Sequence, residues 1–349
     1  VRQINYNPFH GNDLFSLGAY VTPFGLAFTG LLRLGGDQGL RLHPQLGLTS
    51  VRHHPNPFLR KGNTIMITSL GQAIPFFKLQ GSGNDFILID NRSLRLSTQH
   101  MNTWAKSLCT RAFGIGADGL IFIDSAPKDM AVDYMWHFYN ADGSRAEMCG
   151  NGSRCVARLA FELGIAGKNQ VFLTDAGPIQ AQYIEETGQI KVQLTKAADL
   201  ELDMTISKDN GETMQVHFVN TGVPHTVLLT SNLKKIDVKS LGSSIRFNPR
   251  FAPFGTNVNF VQIENRDHLL LRTYERGVEN ETYACGTGAS ASVYVAHALD
   301  KCSKHVSVTT SGGEKLEVHL ENDDIFLQGD AIIVYTGNLY PDFFDLPCE

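Results

Sequence analysis

The sequence predicts an α+β protein of two similar halves, each a short-stranded mixed β-sheet or barrel-like layer around a central helix. Three observations carry that prediction. Cys149-Gly150-Asn151-Gly152 and Cys285-Gly286-Thr287-Gly288 place the same cysteine-and-glycine turn before two apolar helical runs. Short segments reading strand, turn, strand precede each of them. The βαβ alternation of a dinucleotide-binding domain is absent.

The elements follow in order. Residues 1–73 stand apart, with six Lys/Arg against two Asp/Glu and ten glycines. They read as a basic targeting peptide, an upstream translation artefact or a genuine extension. From about Pro75, FFKLQ and FILIDN flank Gly-Ser-Gly-Asn-Asp as strand, turn, strand. Residues 96–114 read as a helix stopping near Gly114. GLIFID (119–124) and YMWHFYNADGS (134–144) supply strands and a sharp turn. Gly152 to Phe161 offers Cys155, Val156, Leu159 and Ala160 at helical spacing, extended by Leu163 and stopped at Gly164. VFLTDAGPIQAQYIEE and IKVQL are short strands, and a boundary falls near residues 190–200.

The second half repeats the plan. MQVHFVNTGVPHTVLLT is strand, turn, strand, and GTNVNFVQIEN is a turn feeding a strand. HLLLRTYERG leads into the second cysteine turn. Ala289, Val293, Ala296 and Leu299 then mark a second buried helix, and residues 315–340 read as closing strands.

Composition narrows the function. The chain has 349 residues, 42% of them apolar, which is enough for two cored domains. Its net charge of -5 gives no general reason to expect nucleic acid. No apolar run approaches the ~20 residues of a membrane span. Six cysteines include no Cys-x2-Cys pair, and no His-Glu-x-x-His occurs, so no metal is expected. They are too sparse for a disulfide-stapled secreted scaffold, which points to a reducing compartment such as the cytoplasm.

The chemistry lies in the two cysteine turns. Glycines at a helix start let the backbone approach a ligand and leave N–H groups pointing outward. Such a terminus favours both a thiolate and a bound carboxylate. Two converging starts can hold one α-carboxylate, with Cys149 and Cys285 on opposite faces of the attached carbon. One sulfur then removes the α-proton while the other donates from the far side. A single cysteine before glycines is more often structural; the repetition in both halves reverses that judgement. Cys155, Cys109 and Cys302 read as packed small residues and Cys348 as an incidental tail residue. Asp85 and Asp118 read as loop braces and His225 as a packed or supporting histidine.

The motifs GSGNDFILID, GIGADGLIF, FYNADGS, AEMCGNGSRC, NTGVPH, GTNVNF, YERG and ACGTGASA resemble, in order and spacing, the diaminopimelate epimerase family. The resemblance covers about Pro75 to the C-terminus. It implies interconversion of LL- and meso-diaminopimelate, a small-molecule substrate, by two thiols and without pyridoxal phosphate or any other cofactor. It implies catalytic roles for Cys149 and Cys285. Substrate-binding roles fall on Asn84, Asn140, Gly150, Asn151, Asn257, Glu275, Arg276, Gly286 and Thr287, with Arg276 gripping the distal carboxylate and Glu275 facing an amine. Domains of 74–195, completed by 337–349, and 196–336 are expected, and a homodimer is possible. Gly119, Val223 and a longer ERGVENETYAC segment depart from the family's common pattern, and all bear on the distal end of the substrate. A racemase for another amino acid, sharing the two-cysteine logic, is the alternative.

Overall fold

The computed structural model describes residues 15–16, 31–32, 73–207, 211–340 and 343. The chain divides into two units, residues 1–65 and 66–349. In the first, β1 (Phe15–Ser16) pairs antiparallel with β2 (Leu31–Leu32). The rest of the N-terminal extension up to residue 72, and the tail residue Cys348, lie outside the described residues.

The second unit begins with a hairpin. β3 (Ile74–Gly81) and β4 (Asn84–Asp90) are joined by Ser82 and Gly83, at φ 59° and 78°. Two left-handed residues make the tight turn whose twist matches that of paired strands. The chain then runs through α1 (Met101–Cys109) into β5 (Gly119–Ser125), which lies parallel to β4. β6 (Tyr134–Asn140) returns antiparallel to β5, and α2 (Gly150–Glu162) carries the chain to β7 (Asn169–Thr174), parallel to β6. β8 (Gly177–Ile184) and β9 (Gln189–Gln193) follow antiparallel.

The second run repeats this order. β10 (Ala198–Ser207), β11 (Thr213–Asn220) and β12 (Pro224–Leu229) pair antiparallel in succession. α3 (Val238–Arg246) crosses to β13 (Asn257–Asn265), parallel to β12. β14 (His268–Glu275) returns antiparallel and also pairs with the short β15 (Asn280–Thr282). α4 (Gly286–Ala298) then leads to β16 (His305–Thr309), parallel to β14, before β17 (Lys315–Glu321) and β18 (Asp324–Gly329). β18 pairs with β9 and joins the two runs.

One strand breaks the sequential order. β19 (Ile332–Leu339), the last strand, pairs antiparallel with β3. It stands beside β3 as β10 stands beside β11.

Helices α2 and α4 are the buried centres of the runs. Val156, Leu159 and Ala160 of α2 and Ala289, Val293 and Ala296 of α4 are fully buried in one continuous apolar core. Burying that many apolar side chains, at ~1.5–3 kcal/mol for each of the larger ones, is the main force holding the helices inside the strands. Two outer clusters form under α1, around Met101, Leu108 and Phe122, and under α3, around Ile245, Phe251 and Phe260.

The structure alters three sequence expectations. The 96–114 helix is a short 3-10 turn at Thr98–His100 followed by α1, which ends at Cys109. The chain folds back there, because the amides of Ile115 and Gly116 both donate to the carbonyl of Leu108. Leu163 caps α2 and is 38% exposed instead of extending its buried face. β10 and α3 were not expected. Asp199, Glu201 and Asp203 give β10 a polar surface, and two register shifts break its regular alternation.

Candidate active site

Cys149 and Cys285 occupy the same position in the two runs: each is the N-cap of a central helix, in extended backbone. Helix ends leave amides without intrahelical partners, so both sulfurs stand among outward-facing N–H groups. The sulfur of Cys149 accepts from the amide of Gly152 at 3.5 Å. The sulfur of Cys285 lies 3.6 Å from the Thr287 hydroxyl. Cys149 is half-buried and Cys285 is 8% exposed.

Glycine at these starts is a packing requirement as well as a conformational one. A Cβ on Gly288 would fall 2.4 Å from Oδ1 of Asn259 and 3.2 Å from the Cys285 sulfur. A Cβ on Gly286 would fall 2.6 Å from Leu327.

Both sulfurs line one cavity of about 330 Å³, a volume suited to a small molecule. Asn84, Asn140, Gly150, Asn151, Glu275, Gly286 and Thr287 line it too, so most of the residues singled out in the sequence meet here. Val223 and Asp118 belong to the same wall, with Phe86, Phe138 and Met148 on its apolar side. Asn84 stands beside the first thiol: its Oδ1 lies 3.8 Å from the Cys149 sulfur and accepts from Asn151 Nδ2 at 3.5 Å. Asp118 fixes its orientation by accepting from Asn84 Nδ2 at 2.5 Å. Asp118 also accepts from the amide of Asp85, which pairs with Lys78 at 2.7 Å. These acids therefore brace the loops that carry Asn84. Asn140 donates to the Ser144 hydroxyl at 3.0 Å across its turn while facing the cavity.

Asn257 and Arg276 lie beside this cavity and do not line it. Asn257 is buried; it donates to the carbonyl of Pro224 at 3.0 Å and accepts from the amide of Arg276 at 2.8 Å. The guanidinium of Arg276 donates to the carbonyl of Phe254 at 3.3 Å and lines a neighbouring cavity of about 350 Å³ with Pro224, Phe251 and Phe254.

Burial shapes the electrostatics. It pushes the Cys285 thiol up to about 12, with the nearby Glu275 adding to the rise. It also raises Cys149, opposed by the amides of Gly152 and Asn151 and by Arg154. Glu275 is raised by burial. His225 is fully buried, with Nδ1 3.0 Å from Asn259 Nδ2, and burial with the charge of Arg276 holds it near 3, so it is neutral. Cys109, Cys155 and Cys302 are buried in the cores, and the five cysteines among the described residues are free.

Sequence reasoning passed over Arg154. It lies one turn into α2 and is fully buried. No local signal marked it: its burial comes from the ends of β3 and β18, where Gly81 and Gly329 let the backbone close over the guanidinium.

Among the described residues no cluster of His, Cys, Asp and Glu could hold a metal ion, and no helix is long and apolar enough to cross a membrane.

The family profile described as diaminopimelate epimerase matches residues 76–199 and 217–339. The diaminopimelate epimerase of Aquifex aeolicus is 45% identical over 273 residues, covering 76% of this chain and 97% of its own. That of Hydrogenobaculum is 45% identical over 279 residues, covering 76% and 99%. Among solved structures, a probable proline racemase from Agrobacterium radiobacter has a TM-score of 0.59 at 16% identity, covering 78% of this chain and 94% of its own. A PhzF-family phenazine biosynthesis protein from Bacillus anthracis has a TM-score of 0.58 at 15% identity, covering 77% and 99%. These distant structures share the α+β fold. With a family profile spanning both runs of strands, and relatives matched along nearly their whole length, the chain belongs to the diaminopimelate epimerase family.

Proposed function

We propose that this protein interconverts LL- and meso-diaminopimelate by proton transfer between two thiols, without pyridoxal phosphate. One observation carries the reading: Cys149 and Cys285 cap two equivalent helices and line a single cavity. The substrate α-carboxylate sits on the amides of Gly150, Asn151, Gly286 and Thr287, where helix dipoles favour an anion. One sulfur, as thiolate, takes the α-proton. The carbanion that forms is held by the same preorganised amides. The other sulfur, as thiol, gives its proton to the opposite face, and the configuration inverts. Each turnover leaves the proton on the other sulfur, which readies the site for the reverse direction.

Asn84 and Asn140 flank the reacting carbon. Glu275, in the cavity wall, faces an ammonium group. Arg276 leaves the Phe254 carbonyl to grip the distal carboxylate, because a guanidinium pairs with a carboxylate in a two-pronged fit. The domains are residues 74–195 with the returning C-terminal segment, and 196–336.

The deciding test is α-proton exchange in deuterated water with LL-diaminopimelate and a panel of other amino acids. Deuterium incorporation and meso product with diaminopimelate alone, lost in Cys149→Ala and Cys285→Ala, is the expected outcome. Exchange with another amino acid and none with diaminopimelate would sink the substrate assignment while keeping the thiol pair.

The protein acts as a homodimer formed through β19, in the cytoplasm, where its free thiols stay reduced. Among the described residues β19 pairs on one side only, and Ile332, Val334 and Tyr335 on it are 48%, 54% and 45% exposed. Its counterpart β10 bears Asp199, Glu201 and Asp203, the kind of charge that protects an open edge. Light scattering should report a dimer that Val334→Lys converts to a monomer; a wild-type monomer would refute the interface.

A further inference from the structure

Arg154 is a fully buried cation, and among the described residues no carboxylate pairs with it directly. Its Nε donates to the carbonyl of Asp330 at 3.3 Å, and its Nη2 donates to the Ser82 hydroxyl at 2.5 Å and to Oδ1 of Asn151 at 3.0 Å. Its Nη1 is wholly buried without a partner. An apolar side chain of similar length would fill this space without the unmet donor, so packing alone does not account for an arginine. A guanidinium can only donate, and that one-way character matters here.

The bond to Asn151 opens a directed chain. An asparagine amide has an oxygen at one end and an NH2 of nearly the same size at the other, and its partners decide which way it faces. Because Arg154 takes the oxygen of Asn151, Nδ2 of Asn151 is turned to Asn84 and donates to its Oδ1 at 3.5 Å. The far end of Asn84 agrees. Its Nδ2 donates to Asp118 Oδ2 at 2.5 Å, an oxygen that also accepts from the amide of Asp85 at 3.1 Å. The other side of Arg154 is equally directed: Ser82 gives its proton to Glu314 Oε1 at 2.9 Å, which leaves a lone pair for the guanidinium. From Glu314 to Asp118 each link has one donor and one acceptor. Neither amide can turn round without setting donor against donor at the arginine or oxygen against oxygen at the carboxylate.

This chain ends beside the first thiol. Oδ1 of Asn84 lies 3.8 Å from the Cys149 sulfur, within reach of a weak S–H···O bond, while the sulfur accepts from the Gly152 amide at 3.5 Å. We infer that Arg154 is a positioning residue: through Asn151 it holds the Asn84 amide with its oxygen toward Cys149, and the resting thiol gives its proton to that oxygen. Turned the other way, the amide would offer an N–H and suit a thiolate instead. The catalytic meaning rests on the two-thiol reading, in which Cys149 then waits in its acid form.

The test is the S–H stretching band of Cys149 in Raman spectra of the reduced, substrate-free protein at mildly acidic pH, assigned by its loss in Cys149→Ser. A donated S–H stretches at a lower frequency than a free one. The wild-type band should lie at the lower position, and Asn84→Ala should move it up to that of a free thiol. Arg154→Met should move it the same way, and adding Arg154→Met to Asn84→Ala should change nothing further. Arg154→Lys, which still donates, should keep most of the wild-type position. Asn151→Ala breaks the link with the arginine in place and should match Arg154→Met, which keeps the inference testable if that variant does not fold. The band of Cys302, whose S–H goes to the carbonyl of Val293 at 3.6 Å, should stay where it is throughout. A Cys149 band unmoved in Asn84→Ala would show that the sulfur gives its proton elsewhere. One unmoved in either Arg154→Met or Asn151→Ala would show that Asp118 alone orients Asn84, and a shift shared with Cys302 would show a general loosening of the core. Any of the three overturns the inference. No substrate enters the measurement, so a wrong substrate assignment would leave the result standing.

Discussion

Asn257 ties Arg276 to Pro224 through the backbone: its side chain accepts from the amide of one and donates to the carbonyl of the other. This asparagine sets the spacing of two cavity walls without entering the cavity. Asn257→Ala leaves both backbone groups unpaired in a buried place, at a cost of roughly 1–3 kcal/mol. We expect a lower thermal midpoint and a raised KM, with α-proton exchange at saturating substrate within a few-fold of wild type. A fall in kcat alone would place Asn257 at the reacting centre instead.

Gly288→Ala should disable the second thiol. The added methyl meets Asn259, which is buried and held by Thr226, Thr273 and His225, so neither side can yield cheaply. Overpacking of this kind costs about 1–3 kcal/mol. Activity should drop more than tenfold. Gly167→Ala, where nothing lies within 4 Å, is the control and should behave as wild type. Equal activity in both variants would show that the start of α4 has room to spare.

The buried thiols predict alkaline instability. Cys155 and Cys285 are raised from 9.0, Cys285 to about 12, chiefly by burial. Below their ordinary value both folded and unfolded chains keep these protons, and the stabilisation is complete. Above it the unfolded chain loses them first, so stability falls by up to about 1.4 kcal/mol per pH unit for each thiol. Urea unfolding should show a steep loss between pH 9 and 11, made shallower by Cys155→Ala. A flat profile would contradict the burial of these groups.

His225 predicts an acid arm of opposite origin. Its folded value lies near 3 against an ordinary 6.5. As pH falls through 6.5 the unfolded chain takes up a proton that the folded ring refuses. Stability present above 6.5 therefore declines until about pH 3, by up to about 1.4 kcal/mol per unit. His225→Gln should remove this share of the slope between pH 6.5 and 4.5; an unchanged slope would show that the ring protonates in place.

Much of this site was legible in the sequence because a helix start is a local event. Cys149 and Cys285 declare themselves through their own glycines, and both helices run where the apolar spacing put them. Asn84 and Asn140 sit at strand ends marked by turn residues, and both reach the cavity. What hid was non-local. β10 is an edge strand whose acidic residues face solvent, so it lacks the apolar alternation that announces a strand. α3 was a miss of a different kind: its Val238, Leu241 and Ile245 fall at helical spacing and pack in one cluster with Tyr274 and Phe260, a local signal that sequence reasoning passed over. Asn257 reads like a ligand-binding residue because a backbone brace and a substrate contact use the same amide chemistry. Arg154 reads like an exposed helix residue until the ends of β3 and β18 close over it.

The pairing of β19 with β3 has a consequence for how the protein is made. β3 emerges from the ribosome before any other strand of the unit, and its second neighbour emerges last. Until then β3 presents an open row of amides and carbonyls to whatever else is nearby. The second run of strands, with β10 already beside β11, needs no such wait. A nascent chain stalled just short of Ile332 would therefore carry one finished sheet layer and one that still invites a stranger, so holding chaperones should bind it until the final strand is released.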